Sequence, residues 1–319
     1  MLTMRQLRDQ RLIVCPRCRS DIGDDVSEWR CTNTKCRYES EPFPVVSGVP
    51  ALVDFERSVI DADRLNDTDG ASQITRPRFS AALSKLVRPN SSVPTSARVG
   101  AMLKELRTGV VTMGRRPRIL VIGGGAVGNG LSELYEDNAV DLITFDIYAS
   151  PNVQFIGDGH AMPLAAESVD GVIVQAVLEH VLEPTVVAAE IDRVLRLGGL
   201  VYAETPFMQH VHEGPYDFTR FTESGHRYLF RRFEVIDSGA VSGAGTVLSW
   251  SIERFVRALT RSTKLGKIAA LCFFWLCLLD RFLDPRHSLD AASGVYFLGR
   301  KTERPISPRE IIAYYQGGM

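Results

Sequence analysis

Three groups of residues have types and spacing that chemistry can use. Cys15-Pro-Arg-Cys18 is followed, after twelve residues, by Cys31-x4-Cys36. Two such thiolate knuckles can close a tetrahedron around Zn2+, and four protein thiolates leave no open position for water or substrate, so the metal would be structural. An apo, redox or degenerate site is the alternative. The second group is Gly123-Gly124-Gly125-Ala-Val-Gly128, set between an apolar run and a helical pattern. Glycines there let a cofactor approach the backbone while a helix N-terminus supplies N–H donors. Asp146, eighteen residues after Gly128, can hold the ribose hydroxyls of NAD or of S-adenosylmethionine. The third group is His210-Val-His212-Glu213-Gly-Pro-Tyr216-Asp217-Phe-Thr-Arg220. A His beside a carboxylate can take the proton of an alcohol near a transition state. His212 is the expected base, with Glu213 or Asp217 orienting it and His210 as second choice; Arg220 and Tyr216 position substrate or pin the loop. A salt-bridged lid without proton transfer is the other reading. His210-x-His212-Glu213 also suits a metal, although no further ligand cluster is evident beside it.

The elements that must position these groups follow from periodicity. ILVI (119–122), a helix near 130–138, DLITFD (141–146), VQFI (153–156), GVIVQ (171–175), a helix near 184–196 and LVYAE (200–204) alternate as in a parallel α/β sheet. FEVIDSG (233–239) and GVYFLGRK (294–301) read as two more strands, with apolar helical sequence between them. The His-rich group then follows the fifth strand, at the carboxyl edge where open α/β sheets bind ligands. A short amphipathic helix is expected from Arg98 to Leu106. The chain divides into a Cys-rich unit (1–56), a polar linker or lid (57–97), the main domain (98–304, with a helical insertion at 241–293) and a tail (305–319).

Composition narrows the field. The 319 residues are 45% hydrophobic and 24% charged, which disfavours a disordered chain or a multi-span membrane protein. The 37 Lys and Arg against 38 Asp and Glu give no overall field that draws the molecule to nucleic acid. Residues 1–40 carry eight basic and six acidic side chains, too little for a phosphate footprint. The N-terminus lacks the apolar run that export needs, so a cytoplasmic location is expected. Ile268 to Leu279 is twelve residues without a charge, flanked by Lys264, Lys267 and Arg281. That is too short to span a bilayer. It is either a core helix, with Cys272 and Cys277 as core thiols, or a face that meets a membrane, a lipid-linked acceptor or another subunit. His180 and His160 are expected at the cofactor rim, and His226 and His287 as surface or packing residues.

VQFIGDGHAMPLAAESVDGVIVQAVLEHVLEP followed by EIDRVLRLGGLVYAETP resembles the class I S-adenosylmethionine-dependent methyltransferases of the type 11 group. The resemblance implies a seven-stranded Rossmann-like α/β sheet. It places Gly123, Gly124 and Gly125 under the methionine and ribose, Asp146 and Ile147 at the ribose, Asp158 and Gly159 beside adenine, and Gln175 facing the methionine. Val121 stands where the family often has an acidic residue, and Leu197 where it usually has proline. The Cys-rich unit, with Phe43 to Pro50 behind its knuckles, resembles the zinc ribbon of Trm112-like proteins, which implies Zn2+ on Cys15, Cys18, Cys31 and Cys36. The Pro-Tyr-Asp-x-x-Arg-Phe-Thr segment resembles a subgroup connected with glycan modification. It implies O-methylation of a hydroxyl on a sugar, glycan or glycolipid. An RNA base methyltransferase, a degenerate methyltransferase-fold scaffold and, on the glycine pattern alone, a NAD-dependent oxidoreductase are the competing readings.

Overall fold

The computed structural model describes residues 1–23, 28–65, 92–111 and 114–319; of the expected linker or lid, residues 66–91 lie outside the described residues. The Cys-rich unit contains α1 (Met4–Asp9), closed by a Thr3–Gln6 capping box, and α2 (Arg37–Ser40). A hairpin of β1 (Val45–Val46) and β2 (Val49–Pro50) follows. Ser47 and Gly48 in its turn both have positive φ, the geometry whose twist matches a two-residue hairpin.

The main domain opens with α3 (Ser92–Val111), which begins ahead of the expected Arg98. It continues through β3 (Arg118–Ile122), α4 (Ser132–Glu136), β4 (Asp141–Asp146), β5 (Phe155–Ile156), β6 (Val169–Gln175), α5 (Pro184–Val194), β7 (Leu195–Pro206), α6 (Glu223–Leu229) and β8 (Phe233–Ser242). An insertion of α7 (Ala244–Thr260), α8 (Thr263–Cys272), α9 (Leu276–Leu279) and α10 (Pro285–Asp290) precedes β9 (Gly294–Lys301) and α11 (Pro308–Ala313). The seven strands lie in the order β5-β4-β3-β6-β7-β9-β8. The first five are parallel, and β9 runs antiparallel to both its neighbours, as the resemblance implied.

Both faces of the sheet are covered, which is why the parallel strands read as unbroken apolar runs. Along β3, Leu120 and Ile122 face α5 and α6, while Ile119 and Val121 join Val99, Met102, Leu103 and Leu106 of α3. The Cys-rich unit packs into the first of these cores through Leu7, Ile13, Trp29, Phe43 and Leu52. Its chain also extends the sheet: Ala51 bridges in parallel to Ile156, and the Leu52 N–H donates to the Ile156 carbonyl at 2.9 Å. The short edge strand β5 is thereby paired rather than left open. Arg19 adds an ion pair to Glu190 of α5 at 2.9 Å.

The apolar run at 268–279 differs from the core expectation. It is broken between α8 and α9, and only Leu276 and Cys277 of its large side chains are buried. Ile268, Leu271, Phe273, Phe274 and Trp275 are exposed, and so is Cys272, which is therefore not a core thiol. Its partners in the fold are α7 and the Asp280 turn, which cover one side and leave the other bare. Among the described residues, no helix is long and apolar enough to cross a membrane.

Candidate functional site

The strand order reverses between β3 and β6, so their carboxyl ends open a crevice, the usual ligand site of such sheets. Gly123, the first residue after β3, has φ +75°, and a Cβ there would collide with Val177 across the crevice. A Cβ on Gly124 would lie 2.9 Å from Thr144, and one on Gly125 2.7 Å from Asp146 Oδ2. The Gly125 N–H donates to Asp146 Oδ2 at 2.8 Å and the Ile147 N–H to Oδ1 at 2.7 Å. Each carboxylate oxygen keeps a lone pair, which suits two adjacent ribose hydroxyls. Burial pushes the Asp146 carboxyl up to about 6 even though those two N–H groups pull it down. Ile147 is exposed beside it.

Gln175 ends β6 with its Nε2 donating to Asn129 O at 3.1 Å and to Glu204 Oε2 at 2.7 Å. Its Oε1 is buried without a partner, an acceptor suited to a cofactor ammonium. Glu204, which the sequence reading did not single out, also accepts from the Thr95 hydroxyl at 2.7 Å and from Tyr202, fixing the amide's orientation. Asp158 and Gly159 begin the 3-10 turn after β5, the strand paired with β4. Burial raises the Asp158 carboxyl, but hydrogen bonds from His160 and Ser58 outweigh it and hold the group below the carboxylate range. Its oxygens already accept from the His160 N–H at 2.9 Å, from His160 Nδ1 at 2.6 Å and from the Ser58 hydroxyl. Asp158 therefore caps its own turn and is not a free carboxylate. The left-handed glycine, the close-packed glycine turn that admits no Cβ, the Asp146 lone pairs and the orphaned Gln175 oxygen together fit S-adenosylmethionine.

The loop after β7 folds back over the same edge. Of the two acids expected beside His212, Asp217 does the orienting: a 3-10 turn at Gly214–Tyr216 returns it to the His212 N–H at 2.9 Å and to within 3.4 Å of Nδ1. Glu213 has no hydrogen bond to the ring and adds only its charge. Arg220 pairs with both Asp217 oxygens and donates to Gln209 O at 2.8 Å, so it pins the loop. Burial opposes the Asp217 charge, but Arg220 and the His212 N–H hold its carboxyl well below the usual range. Burial lowers His210, whose Nδ1 is unpartnered and whose surroundings include Arg254. His226 is a packing residue, pushed down to about 3 by complete burial.

Sequence reasoning missed Glu179. Its side chain is fully buried after β6, neither carboxylate oxygen has a hydrogen-bond partner, and burial pushes it up to about 8. Its Oε1 lies 3.5 Å from His180 Nε2 and 3.8 Å from His212 Nε2. The two rings meet edge to face with centroids 5.0 Å apart. The Glu-His pair directly after the fourth parallel strand was the available signal.

In the Cys-rich unit the four Sγ atoms lie within 4.8 Å of one another, with Cys15–Cys36 at 3.8 Å and Cys18–Cys31 at 3.4 Å. Tetrahedral Zn2+ with bonds of about 2.3 Å requires sulfurs about 3.8 Å apart, so the set fits that ion.

Residues 127–203 match a family model described as a methyltransferase domain. The demethylmenaquinone methyltransferase of Renibacterium salmoninarum is 32% identical over 178 residues, which are 52% of this chain and 72% of that protein. Solved structures similar to this chain include a SAM-dependent methyltransferase from Archaeoglobus fulgidus (13% identity, 70% and 100% of the two chains, TM-score 0.42). Another is the 1,6-didemethyltoxoflavin-N1-methyltransferase of Burkholderia thailandensis with S-adenosylhomocysteine (15%, 73% and 93%, TM-score 0.36). The curated relative and the domain match carry the assignment: the chain belongs to the S-adenosylmethionine-dependent methyltransferases and is an enzyme of that class.

Proposed function

We propose that the acceptor is a hydroxyl of a sugar, glycan or glycolipid and that the methyl group is placed on oxygen. S-adenosylmethionine supplies an electrophilic methyl carbon, so the protein has to align an oxygen with it and relieve that oxygen of its proton. The observation that supports this is the grouping of Glu179, His180, His212 and Asp217 at the edge that carries Asp146 and Gln175. It offers proton acceptors, from the buried Glu179 to the solvent-facing His212, where an alcohol would lie. Tyr216 and Phe218, both about half exposed on the same loop, offer rings for the apolar faces of a sugar. Incubating the purified chain with isotopically labelled S-adenosylmethionine and sugar or glycolipid acceptors tests this. Label in an alkali-stable ether on the acceptor is expected; label on nitrogen, or on RNA alone, overturns the acceptor class.

Cys15, Cys18, Cys31 and Cys36 are proposed to hold a structural Zn2+. Because their unit shares its core with the sheet, Cys18→Ser should release a zinc and lower the thermal midpoint by several degrees. Unchanged zinc content and midpoint in C18S would contradict this.

The bare side of the insertion is proposed to rest on an anionic membrane surface at the inner face of the cytoplasmic membrane. Phe255, Leu259, Ile268, Phe274 and Trp275 are exposed there, and Arg257, Arg261, Lys264, Lys267 and Arg281 are exposed around them. Apolar insertion and attraction to anionic headgroups add in such a face. Co-sedimentation with phosphatidylglycerol vesicles is expected and should weaken at least tenfold in Phe274→Glu. Equal binding to neutral vesicles, or none, removes the proposal.

A further inference from the structure

Glu179 and two imidazoles gather at one point of the site without a hydrogen bond between them. The Tyr216 carbonyl lies 2.6 Å from His180 Nδ1 and can only accept, so that nitrogen carries the ring proton and Nε2 keeps a lone pair. His212 Nδ1 likewise faces two acceptors, the His210 carbonyl at 3.3 Å and Asp217 at 3.4 Å. In the neutral ring its Nε2 is then a second lone pair. Both lone pairs lie beside the fully buried Glu179 carboxyl, whose Oε1 is 3.5 Å from His180 Nε2 and 3.8 Å from His212 Nε2 and whose oxygens have no hydrogen-bond partner. One carboxylate oxygen and one nitrogen of each ring lie within 4.8 Å of one another. Asp217 and Glu213 add negative charge around the cluster, and Arg220 offsets part of it.

We infer that Glu179, His180 and His212 form a divalent-cation site that binds the acceptor's hydroxyl oxygen. Each imidazole already has what metal-bound histidines carry: its other ring nitrogen donates to a carbonyl or carboxylate, which fixes the tautomer and the ring's aim. Two neutral imidazoles and one carboxylate suit a first-row divalent ion, and three protein ligands leave positions open. The inference deepens the proposed function and rests on it only in naming a hydroxyl as the open-position ligand. An oxygen bound to the cation loses its proton more readily. That proton passes to solvent, the O–H electron pair stays on oxygen, and oxygen then bonds to the methyl carbon as the S–C pair returns to sulfur. His212 would act as a ligand here, not as the base.

The test is a Mn2+ titration of the full-length, zinc-replete protein, followed by the paramagnetic resonance signal of free Mn2+. Thiolates are poor ligands for this hard ion, so the cysteine site does not compete. One Mn2+ is expected to bind, with nitrogen couplings from imidazole in the pulsed spectrum. Glu179→Gln and His212→Asn should each weaken binding at least tenfold, with S-adenosylhomocysteine affinity reporting that the variants are folded. Absence of saturable Mn2+ binding, or identical binding in E179Q and H212N, overturns the cation site. Label transfer to a hydroxyl unaffected by EDTA also overturns it while leaving the acceptor reading intact. Mn2+ binding without transfer to any hydroxyl leaves the site standing and removes that reading.

Discussion

Replacing His212 by asparagine lowers kcat about a hundredfold or more and leaves the dissociation constant for S-adenosylhomocysteine unchanged. The magnitude is that of losing a group that handles the acceptor's proton, directly or through a bound cation. The cofactor constant is spared because His212 is held by Asp217 on the loop after β7, whereas the crevice groups Asp146 and Gln175 end β4 and β6. Asp217→Asn should give a smaller fall in kcat, since it removes the charge that orients the ring but leaves the ring itself. Steady-state kinetics with calorimetry on the same preparations checks both. A His212 variant with wild-type kcat would reduce the loop to a lid.

Asp146→Asn weakens cofactor binding about ten- to a hundredfold, because a charge-assisted hydrogen bond contributes about 1.5 to 3 kcal/mol. The same carboxylate sets a pH dependence. Its pKa is raised, to about 6, and the ribose hydroxyls donate to the ionised form. Affinity is therefore complete above that pH and falls as pH drops through it, about tenfold per unit for the one proton involved. An ordinary aspartate would not begin to fail until nearer pH 4. A carboxamide cannot titrate, so the weaker binding of Asp146→Asn should be flat between pH 5 and 8. Wild-type affinity that is flat over that range contradicts the assignment of Asp146 to the ribose.

The cofactor side of the site was legible because its chemistry is local. The glycine run must follow β3 directly, and Asp146 must end the next strand, so spacing alone places both at one sheet edge. The cysteine quartet is legible for the same reason. The acceptor side depends on which way a loop returns. Glu213 is adjacent to His212 in sequence, yet the 3-10 turn after it brings Asp217 back to the ring. Glu179 lies 33 residues before His212, and no periodicity links the two; only the adjacency of β6 and β7 joins them. The run at 268–279 shows a different limit. Its apolar content says that something covers it, but not whether the cover belongs to this chain, and the fold covers only Leu276 and Cys277 fully. β7 begins at Leu195 rather than at the expected position 200, because the strand absorbs Gly198 and Gly199 through an irregular register against β6.

Whether the crevice between β3 and β6 takes S-adenosylmethionine on Asp146 is tested most directly by calorimetric titration of zinc-analysed protein with S-adenosylmethionine, S-adenosylhomocysteine and NAD. Micromolar binding of the first two, lost or strongly weakened in Asp146→Asn, with no binding of NAD, is the expected result. Binding of NAD in their place, or S-adenosylhomocysteine affinity that is the same in wild type and Asp146→Asn, would contradict it.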